Sequence, residues 1–135
     1  MPPGSPLTGD CPCGSALDYS QCCGLLHAGA PAADASALMR SRYTAYFLGL
    51  KDYLLNTWHV STRPSLFDVD PATRWLGLQV RRRVTVDPTH AQVEFVARFR
   101  VRGGSAVRLH ELSDFICEDG RWFYVCGHFL ESLRE

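Results

Sequence analysis

Four of the six cysteines lie close together near the start of the chain, with the spacing of a metal site. Cys11 and Cys13 form a C-x-C pair, and eight residues later Cys22 and Cys23 form a C-C pair. Zinc binds four thiolates in a tetrahedron with Zn–S distances of about 2.3 Å, and two close pairs on a short loop can supply them. The pattern therefore predicts one structural zinc ion bound by these four residues.

Two other uses of these cysteines fit the sequence less well. Disulfides are disfavoured in a reducing cytosol, and neither C-x-C nor adjacent C-C suits a bridge within the pair. Thiol catalysis commonly uses a low-pKa thiolate in a C-x-x-C motif, a spacing that this sequence lacks. Four thiolates would also leave zinc no open position for a water ligand, so the predicted site is structural and not catalytic.

Polar residues further along the chain are candidates for acid–base chemistry in a pocket. Asp114 and His110 are predicted to share the inner face of a β-sheet, among apolar side chains. Four strand residues separate them by about 13 Å, which is too far for a dyad. Asp114 also suits a purely structural role, accepting a hydrogen bond from a Trp, a Tyr or Arg74. The other residues predicted to line the pocket are Tyr43, Tyr46, Trp58, His59, Arg74 and Trp75.

Two helices are predicted between the cysteines and the sheet. Asp34 has the residue type of an N-cap, an apolar stripe follows it, and Gly49 provides a stop, so a helix is predicted over residues 35–48. A second, shorter helix is predicted from Asp52, as its cap, to Trp58. These helices would cover one face of the sheet and carry the aromatic side of the pocket.

Four antiparallel strands are predicted from Trp75 onward, because β-branched and aromatic residues recur between three turn signals. The turn signals are Asp87-Pro88, Gly103-Gly104 and Asp119-Gly120. Treating each as a two-residue loop fixes the register, since opposed residues then have a constant sum of numbers. The predicted pairs are Leu78 with Phe99, Val80 with Ala97, Val84 with Val93, Cys117 with Trp122 and Cys126 with Ser113. The fold class is therefore α+β: an N-terminal zinc knuckle, then two or more helices on a curved four-stranded antiparallel sheet.

The same register gives the outer face of the sheet a mixed character. It holds basic residues on the first two strands, among them Arg81, Arg83, Arg98 and Arg100, and apolar residues on the last two, among them Leu109, Phe115, Cys117, Trp122 and Tyr124. The helices can shield only one face, so this apolar surface needs its own cover. The candidates are the zinc knuckle, a second copy of the chain in a homodimer, or a protein partner.

Length and composition favour one globular domain. The chain has 135 residues, 46% of them hydrophobic, and a formal net charge of zero. It has no overall basic field to attract nucleic acid and no apolar stretch of membrane-spanning length. Its first residues have neither the charged nor the apolar region of a signal peptide. We therefore expect a cytoplasmic protein with neither nucleic acid nor a membrane as partner.

Residues 11–24 resemble the SEC-C type of zinc knuckle, which occurs at the C-terminus of the bacterial translocation ATPase. The segments 38–46, 57–59 and 73–78 are similar to the YchJ family of bacterial proteins. The resemblance implies a zinc-knuckle segment over residues 1–30 and a nuclear-transport-factor-2-like (NTF2-like) domain over residues 31–135, with the cone-shaped hollow of that fold and of cystatins. Many members of the family carry a second knuckle at the C-terminus, whereas this chain ends at 131–135 without one.

The sequence favours a zinc-binding protein without enzymatic activity, acting as a binding or adaptor module for a protein partner or a small hydrophobic ligand. A small-molecule lyase, isomerase or hydrolase is the alternative, with Asp114 or His110 as the acid–base group. A structure that shows both side chains facing solvent on the outside of the sheet would exclude that version. An RNA-associated factor using the basic residues of the outer face is a lesser alternative, for which binding should weaken steeply with salt.

Overall fold

The computed structural model describes residues 9–134, with side chains described as far as Leu130. The helices are a 3-10 turn at Tyr19–Gln21, α1 at Cys23–His27, α2 at Ala35–Leu48 and α3 at Lys51–Asn56. The strands are β1 at Thr73–Asp87, β2 at His90–Val101, β3 at Val107–Glu118 and β4 at Arg121–Arg134. They form one antiparallel sheet in the order β1-β2-β3-β4, which confirms the predicted α+β class. None of the described helices is both long and apolar enough to span a bilayer.

Helix α2 has the bounds that its capping residues predict. The side chain of Asp34 accepts a hydrogen bond from the backbone N–H of Ala37 at 2.7 Å, and so satisfies one of the free N–H groups of the first turn. Gly49 ends the helix in the left-handed conformation, with φ at 76°. Helix α3 differs from the prediction, because Leu50 holds its N-cap position and Asp52 lies within its first turn.

The pairing of β2 with β3 is one residue away from the predicted register. The connection between these strands runs over residues 102–106 and is not a two-residue loop. Ala97 therefore pairs with Leu109, where the two-residue loop would pair it with His110. A shift of one residue turns every side chain of a strand to the other face of the sheet. The predicted inner-face position of His110 and Asp114 is consequently wrong, and both lie on the outer face.

Three register shifts in β1 also change its pairs with β2. They lie between Trp75 and Gly77, between Val80 and Arg82, and between Thr85 and Asp87. The observed pairs are Leu78 with Ala97, Val80 with Phe95 and Val84 with Gln92, so the three predicted pairs are wrong. The shifts also place Arg83 opposite Val93, on the inner face, whereas it was predicted to lie among the basic residues of the outer face. Such β-bulges bend a strand and increase its twist.

The β3–β4 pairing agrees with the prediction near the turn and departs from it beyond a bulge. Cys117 pairs with Trp122, as predicted, but Cys126 pairs with Asp114 and not with Ser113. The change occurs where β4 has an extra residue, Val125, between the partners of Asp114 and Phe115.

The core lies between the inner face of the sheet and α2, and the cysteine knuckle belongs to it. Its sheet residues include Val93, Phe95, Ala97 and Phe115, its helix residues include Leu38, Met39 and Tyr43, and its knuckle residues are Cys11, Cys13, Tyr19 and Cys23. The knuckle therefore packs on the helical side of the sheet, and the outer face is not covered by it.

Polar side chains are linked across the outer face. Arg82 donates to Glu94, Glu94 bonds to His110, and Gln92 donates to Asp114. The aromatic residues predicted for this face lie on the inner face instead, Phe115 among them, because of the shifted register of β3. A homodimer through the outer face stays a prediction, and it loses the apolar residues on which it was based.

Candidate metal centre and the adjoining cavity

The structure brings the sulfur atoms of Cys11, Cys13, Cys22 and Cys23 together. All four lie within 4.8 Å of one another, and those of Cys13 and Cys22 are 3.6 Å apart. A tetrahedral zinc site with bonds of about 2.3 Å has S···S edges of roughly 3.8 Å, so the spacing fits one ion. Cys13 is 0% exposed, Cys23 2% and Cys11 4%, whereas Cys22 is half-buried. These four thiols can hold a metal ion.

The backbone of the knuckle is closed by local hydrogen bonds. The N–H of Cys11 donates to the carbonyl of Leu17 at 2.8 Å, and the N–H of Gly14 donates to the carbonyl of Cys11 at 3.2 Å. Gly14 has a φ of 82°, a conformation that favours glycine and turns the chain after the first cysteine pair. The second pair follows the 3-10 turn. There Gly24 lies against Tyr19, whose carbonyl oxygen would be 2.7 Å from an added Cβ.

Side chains of α2 hold the knuckle from outside the cysteine cluster. The hydroxyl of Thr44 donates to the Cys23 sulfur at 3.3 Å and lies 3.7 Å from the Cys11 sulfur. Arg40 Nη1 donates to the carbonyl oxygen of Cys13 at 2.9 Å. Hydrogen bonds of this kind to ligand residues orient them and tune their affinity for the metal.

Half-buried His27 joins the knuckle to α2 through both ring nitrogens. Its Nε2 lies 2.9 Å from the carbonyl oxygen of Ser41, which can only accept, so Nε2 carries the proton. Its Nδ1 then accepts from the Tyr19 hydroxyl at 2.7 Å. Burial lowers the pKa of His27, which favours this neutral form.

The acidity of the thiols differs within the cluster. The hydrogen bond with Cys23 lowers the pKa of Cys13 to about 4. The same bond, followed by burial, raises the pKa of Cys23, and burial raises that of Cys22. Several thiolates so close together repel one another in a buried site, and a bound divalent cation offsets that repulsion. Four sulfur donors suit a soft or borderline ion such as zinc and not magnesium or calcium.

A cavity of about 240 Å³ adjoins this core between α2 and the inner face of the sheet. Its lining residues are Met39, Arg42, Tyr43, Tyr46, Trp75, Phe95, Ala97, Leu109, Glu111, Ser113 and Tyr124. The Trp75 ring lies 5.7 Å from the ring centres of both Tyr43 and Tyr46. Burial raises the pKa of Tyr43 to about 12 and also raises the pKa values of Tyr46 and Tyr124, so these phenols stay protonated.

Arg42 places a fixed positive charge in the cavity wall. It is 4% exposed, and its Nη1 donates to the Leu54 carbonyl at 2.7 Å and to the Thr57 hydroxyl at 2.6 Å. Its guanidinium carbon lies 4.6 Å from the ring centre of Tyr124 and 5.2 Å from that of Trp58. Cation–π contacts of this kind stabilise a guanidinium that has lost most of its water.

Glu111 supplies the carboxylate of the cavity. Ser113 donates to its Oε2 at 2.6 Å. Gly127 on β4 leaves room for this side chain, since a Cβ there would collide with the Glu111 carboxylate. Glu111 is not among the residues predicted for the pocket, because a two-residue loop before β3 would place the odd-numbered residues of that strand on the outer face. With the correct loop length of residues 102–106, the alternation of β3 predicts Glu111 on the inner face.

The structure brings together only some of the residues predicted for the pocket. Tyr43, Tyr46 and Trp75 line the cavity. Trp58 packs beside it, with its buried indole nitrogen lacking a hydrogen-bond partner among the described residues. His59 bonds to Glu118 at 3.0 Å, away from the cavity, and Arg74 is exposed.

The two candidate acid–base residues do not reach the cavity. On the outer face, Nε2 of His110 lies 2.7 Å from Glu94, and Asp114 bonds to Gln92 and His128 at 2.8 Å each. The version of the catalytic alternative that placed these two residues inside the cavity is therefore wrong.

Comparisons with known proteins agree with this arrangement. The model of the SEC-C motif matches residues 10–25, and the model of the YchJ middle NTF2-like domain matches residues 34–127. A UPF0225 protein of Xanthomonas campestris is 52% identical over 127 residues, covering 93% of this chain and 98% of that protein. A UPF0225 protein of Bordetella parapertussis is 54% identical over 130 residues, covering 93% and 96% respectively.

Two solved structures share the fold. The solution structure of a SEC-C motif containing protein from Rhodopseudomonas palustris has a TM-score of 0.80 at 39% identity, covering 90% of this chain and 99% of that one. The crystal structure of a SEC-C motif containing protein from Psychrobacter arcticus has a TM-score of 0.71 at 28% identity, covering 96% and 86%. The knuckle and the helix-on-sheet domain thus occur together in these relatives.

Proposed function

Because this chain belongs to the YchJ family, with a SEC-C motif ahead of a middle NTF2-like domain, we propose that it is a zinc-stabilised protein without catalytic activity that binds a small ligand in the cavity between α2 and the sheet. The zinc ion would be held by Cys11, Cys13, Cys22 and Cys23. Four thiolates complete its coordination, so its contribution is to fold the knuckle and not to activate water.

The observation that carries the proposal is that α2 is shared between the knuckle and the cavity. Arg40 and Thr44 of this helix bond to the knuckle, while Arg42, Tyr43 and Tyr46 line the cavity. Folding of the knuckle around zinc would therefore also fix the helix that forms one wall of the binding site. Coupling of this kind would give a metal that takes no part in chemistry a role in ligand binding.

The lining of the cavity indicates the class of ligand. Its volume of about 240 Å³ lies below the roughly 300–1,000 Å³ of pockets for drug-sized molecules. Aromatic walls favour a ring or short apolar body, while Arg42 and Glu111 offer one charge of each sign. We therefore expect a small monocyclic compound with an anionic group, a cationic group or both, held by the aromatic rings and oriented by these two side chains.

A ligand screen by NMR tests the proposal on the zinc-loaded protein. Monocyclic aromatic acids, amines and amino acids are added in turn, and the backbone amide resonances are followed. We expect saturable shifts at Tyr43, Tyr46 and Trp75, which Ala97→Leu should weaken because the added side chain takes up cavity volume. Gln79→Leu is the control, since it places a similar side chain on an exposed position of the outer face.

The NMR screen distinguishes ligand binding in the cavity from binding elsewhere and from catalysis. Shifts confined to the outer face, or unchanged binding in Ala97→Leu, would contradict a ligand site in this cavity. Conversion of any bound compound, followed in the same NMR samples, would contradict the absence of catalytic activity and direct attention to Glu111. Metal analysis of the purified protein should give at least one zinc ion per chain, and Cys22→Ser should lower that content.

A further inference from the structure

A second group of metal-binding side chains lies on the outer face of the sheet, away from both the knuckle and the cavity. Its members are Asp114, Cys126 and His128, whose donor atoms lie within 4.8 Å of one another. The Asp114 Oδ2 atom is 2.8 Å from Nε2 of His128 and 3.5 Å from the Cys126 sulfur. The Cys126 sulfur is 3.9 Å from the same Nε2 atom.

The geometry differs from that of a Cys-His-Asp catalytic triad. A triad histidine bridges its partners, with one ring nitrogen facing the nucleophile and the other facing the carboxylate. Here the carboxylate and the sulfur both approach Nε2 of His128, so the three donor atoms converge on one point.

The β-structure explains why these three residues meet. Cys126 and His128 are two apart on β4 and so project from the same face, and Asp114 is the cross-strand partner of Cys126. The bulge at Val125 determines which face of the sheet Cys126 and His128 occupy. Without the extra residue, Cys126 would pair with Ser113 and turn inward. The side chains are therefore aligned by the bulge on a regular strand pair and not by a flexible loop.

Gln92 orients the carboxylate from the neighbouring strand. Its Nε2 donates to Oδ1 of Asp114 at 2.8 Å, which leaves Oδ2 directed at the cysteine and the histidine. A hydrogen bond to the free oxygen of a ligating carboxylate is the usual outer-shell support of a metal site.

The distances between the three donor atoms are close to those of a tetrahedral zinc site. In a tetrahedral zinc site the edges from sulfur to nitrogen or oxygen are roughly 3.6 Å, and the nitrogen–oxygen edge is roughly 3.4 Å. The two sulfur distances of 3.5 and 3.9 Å lie close to this, and the shorter contact between His128 and Asp114 is a hydrogen bond that coordination would replace. The geometry points to a second metal site, in which Asp114, Cys126 and His128 bind a divalent ion of the zinc class and leave one position to water.

A metal ion bound at this site should exchange readily with the solution. The His128 side chain is 59% exposed and that of Asp114 is 32% exposed, so the fourth position faces solvent. Three mixed ligands at the surface bind less tightly than four buried thiolates. Zinc should therefore leave this site in the presence of a chelator before it leaves the knuckle.

Cobalt titration of the full chain tests the site. The protein is loaded with one zinc ion, confirmed by metal analysis, and Co²⁺ is added while the thiolate charge-transfer band and the visible bands of tetrahedral cobalt are recorded. We expect one further equivalent to bind. Cys126→Ser should abolish the charge-transfer band, whereas Cys117→Ser, which removes the other late thiol, should leave it unchanged.

Two further variants keep the test specific. Gln92→Ala should weaken cobalt binding about 10-fold by releasing the Asp114 carboxylate, without removing a ligand. Cys22→Ser reports separately on the knuckle, so a failure of the zinc assignment there is distinguishable from a failure here. The inference is overturned if no second equivalent binds to the folded, zinc-loaded protein, or if Cys126→Ser binds it with the same spectrum and affinity.

Discussion

The hydroxyl of Thr44 is predicted to support zinc binding from α2. Thr44 is 0% exposed, and its hydroxyl donates to the Cys23 sulfur at 3.3 Å and lies 3.7 Å from that of Cys11. Thr44→Val replaces this hydroxyl by a methyl group of similar size, so it removes the hydrogen bond without opening a cavity. The zinc affinity should fall, because a metal-bound thiolate is a better ligand when a neighbouring donor orients it and offsets its charge.

The size of the effect follows from linkage between metal binding and folding. Loss of an outer-shell hydrogen bond lowers metal affinity by about 10-fold to 100-fold, and we take the lower figure for one hydroxyl. At a fixed saturating zinc concentration, a 10-fold weaker affinity lowers the free energy of unfolding by about 1.4 kcal/mol. For a domain of this length, that corresponds to a fall in Tm of about 5 °C.

A competition titration with a chromogenic chelator measures the zinc affinity, and thermal unfolding at fixed zinc concentration measures the stability. Thr44→Ser is the matched control, since it keeps the hydroxyl and loses only a methyl group. It should retain the zinc affinity of the unaltered protein. If Thr44→Val and Thr44→Ser release zinc at the same chelator concentration, the hydroxyl has no part in metal binding, and Thr44 does not contribute to the proposed link between α2 and the knuckle.

Three further predictions concern the knuckle and the helices. Cys22→Ser should lose zinc at chelator concentrations that the unaltered protein withstands, whereas Cys117→Ser should keep it; equal retention in metal analysis would contradict the cysteine assignment. Gly49→Ala should lower the free energy of urea unfolding by about 1 kcal/mol because of the φ of 76°. Gly77→Ala, with negative φ and open space around the new methyl group, should cost less. Burial lowers the pKa of His27, so the unfolded chain takes up a proton first as the pH falls, and stability should decrease below about pH 6.5. Urea unfolding of His27→Gln should show a smaller decrease between about pH 6.5 and 5, and an identical pH dependence would refute this assignment.

The sequence determined the features that depend on neighbouring residues. Asp34 and Gly49 cap α2 at the predicted positions, because a cap is formed by a side chain and the backbone of the same turn. The cysteine cluster follows equally from local spacing, since its ligands come from a segment of thirteen residues whose own hydrogen bonds close the loop. The family resemblance likewise rests on short motifs, at residues 11–24, 38–46, 57–59 and 73–78.

Only the tertiary structure decided which face each strand presents. The alternation of β3 fits either face, because Leu109 and Phe115 on one side are matched by Leu112 and Ile116 on the other. The choice depends on the length of the loop before β3 and on single-residue bulges in β1 and β4, none of which alters the apolar pattern. Because side chains alternate with a period of two, each one-residue change in loop length and each bulge turns the side chains beyond it to the other face of the sheet. The length of the loop before β3 places Glu111 in the cavity and Asp114 and His110 on the outer face. The bulge in β4 then places Cys126 and His128 beside Asp114.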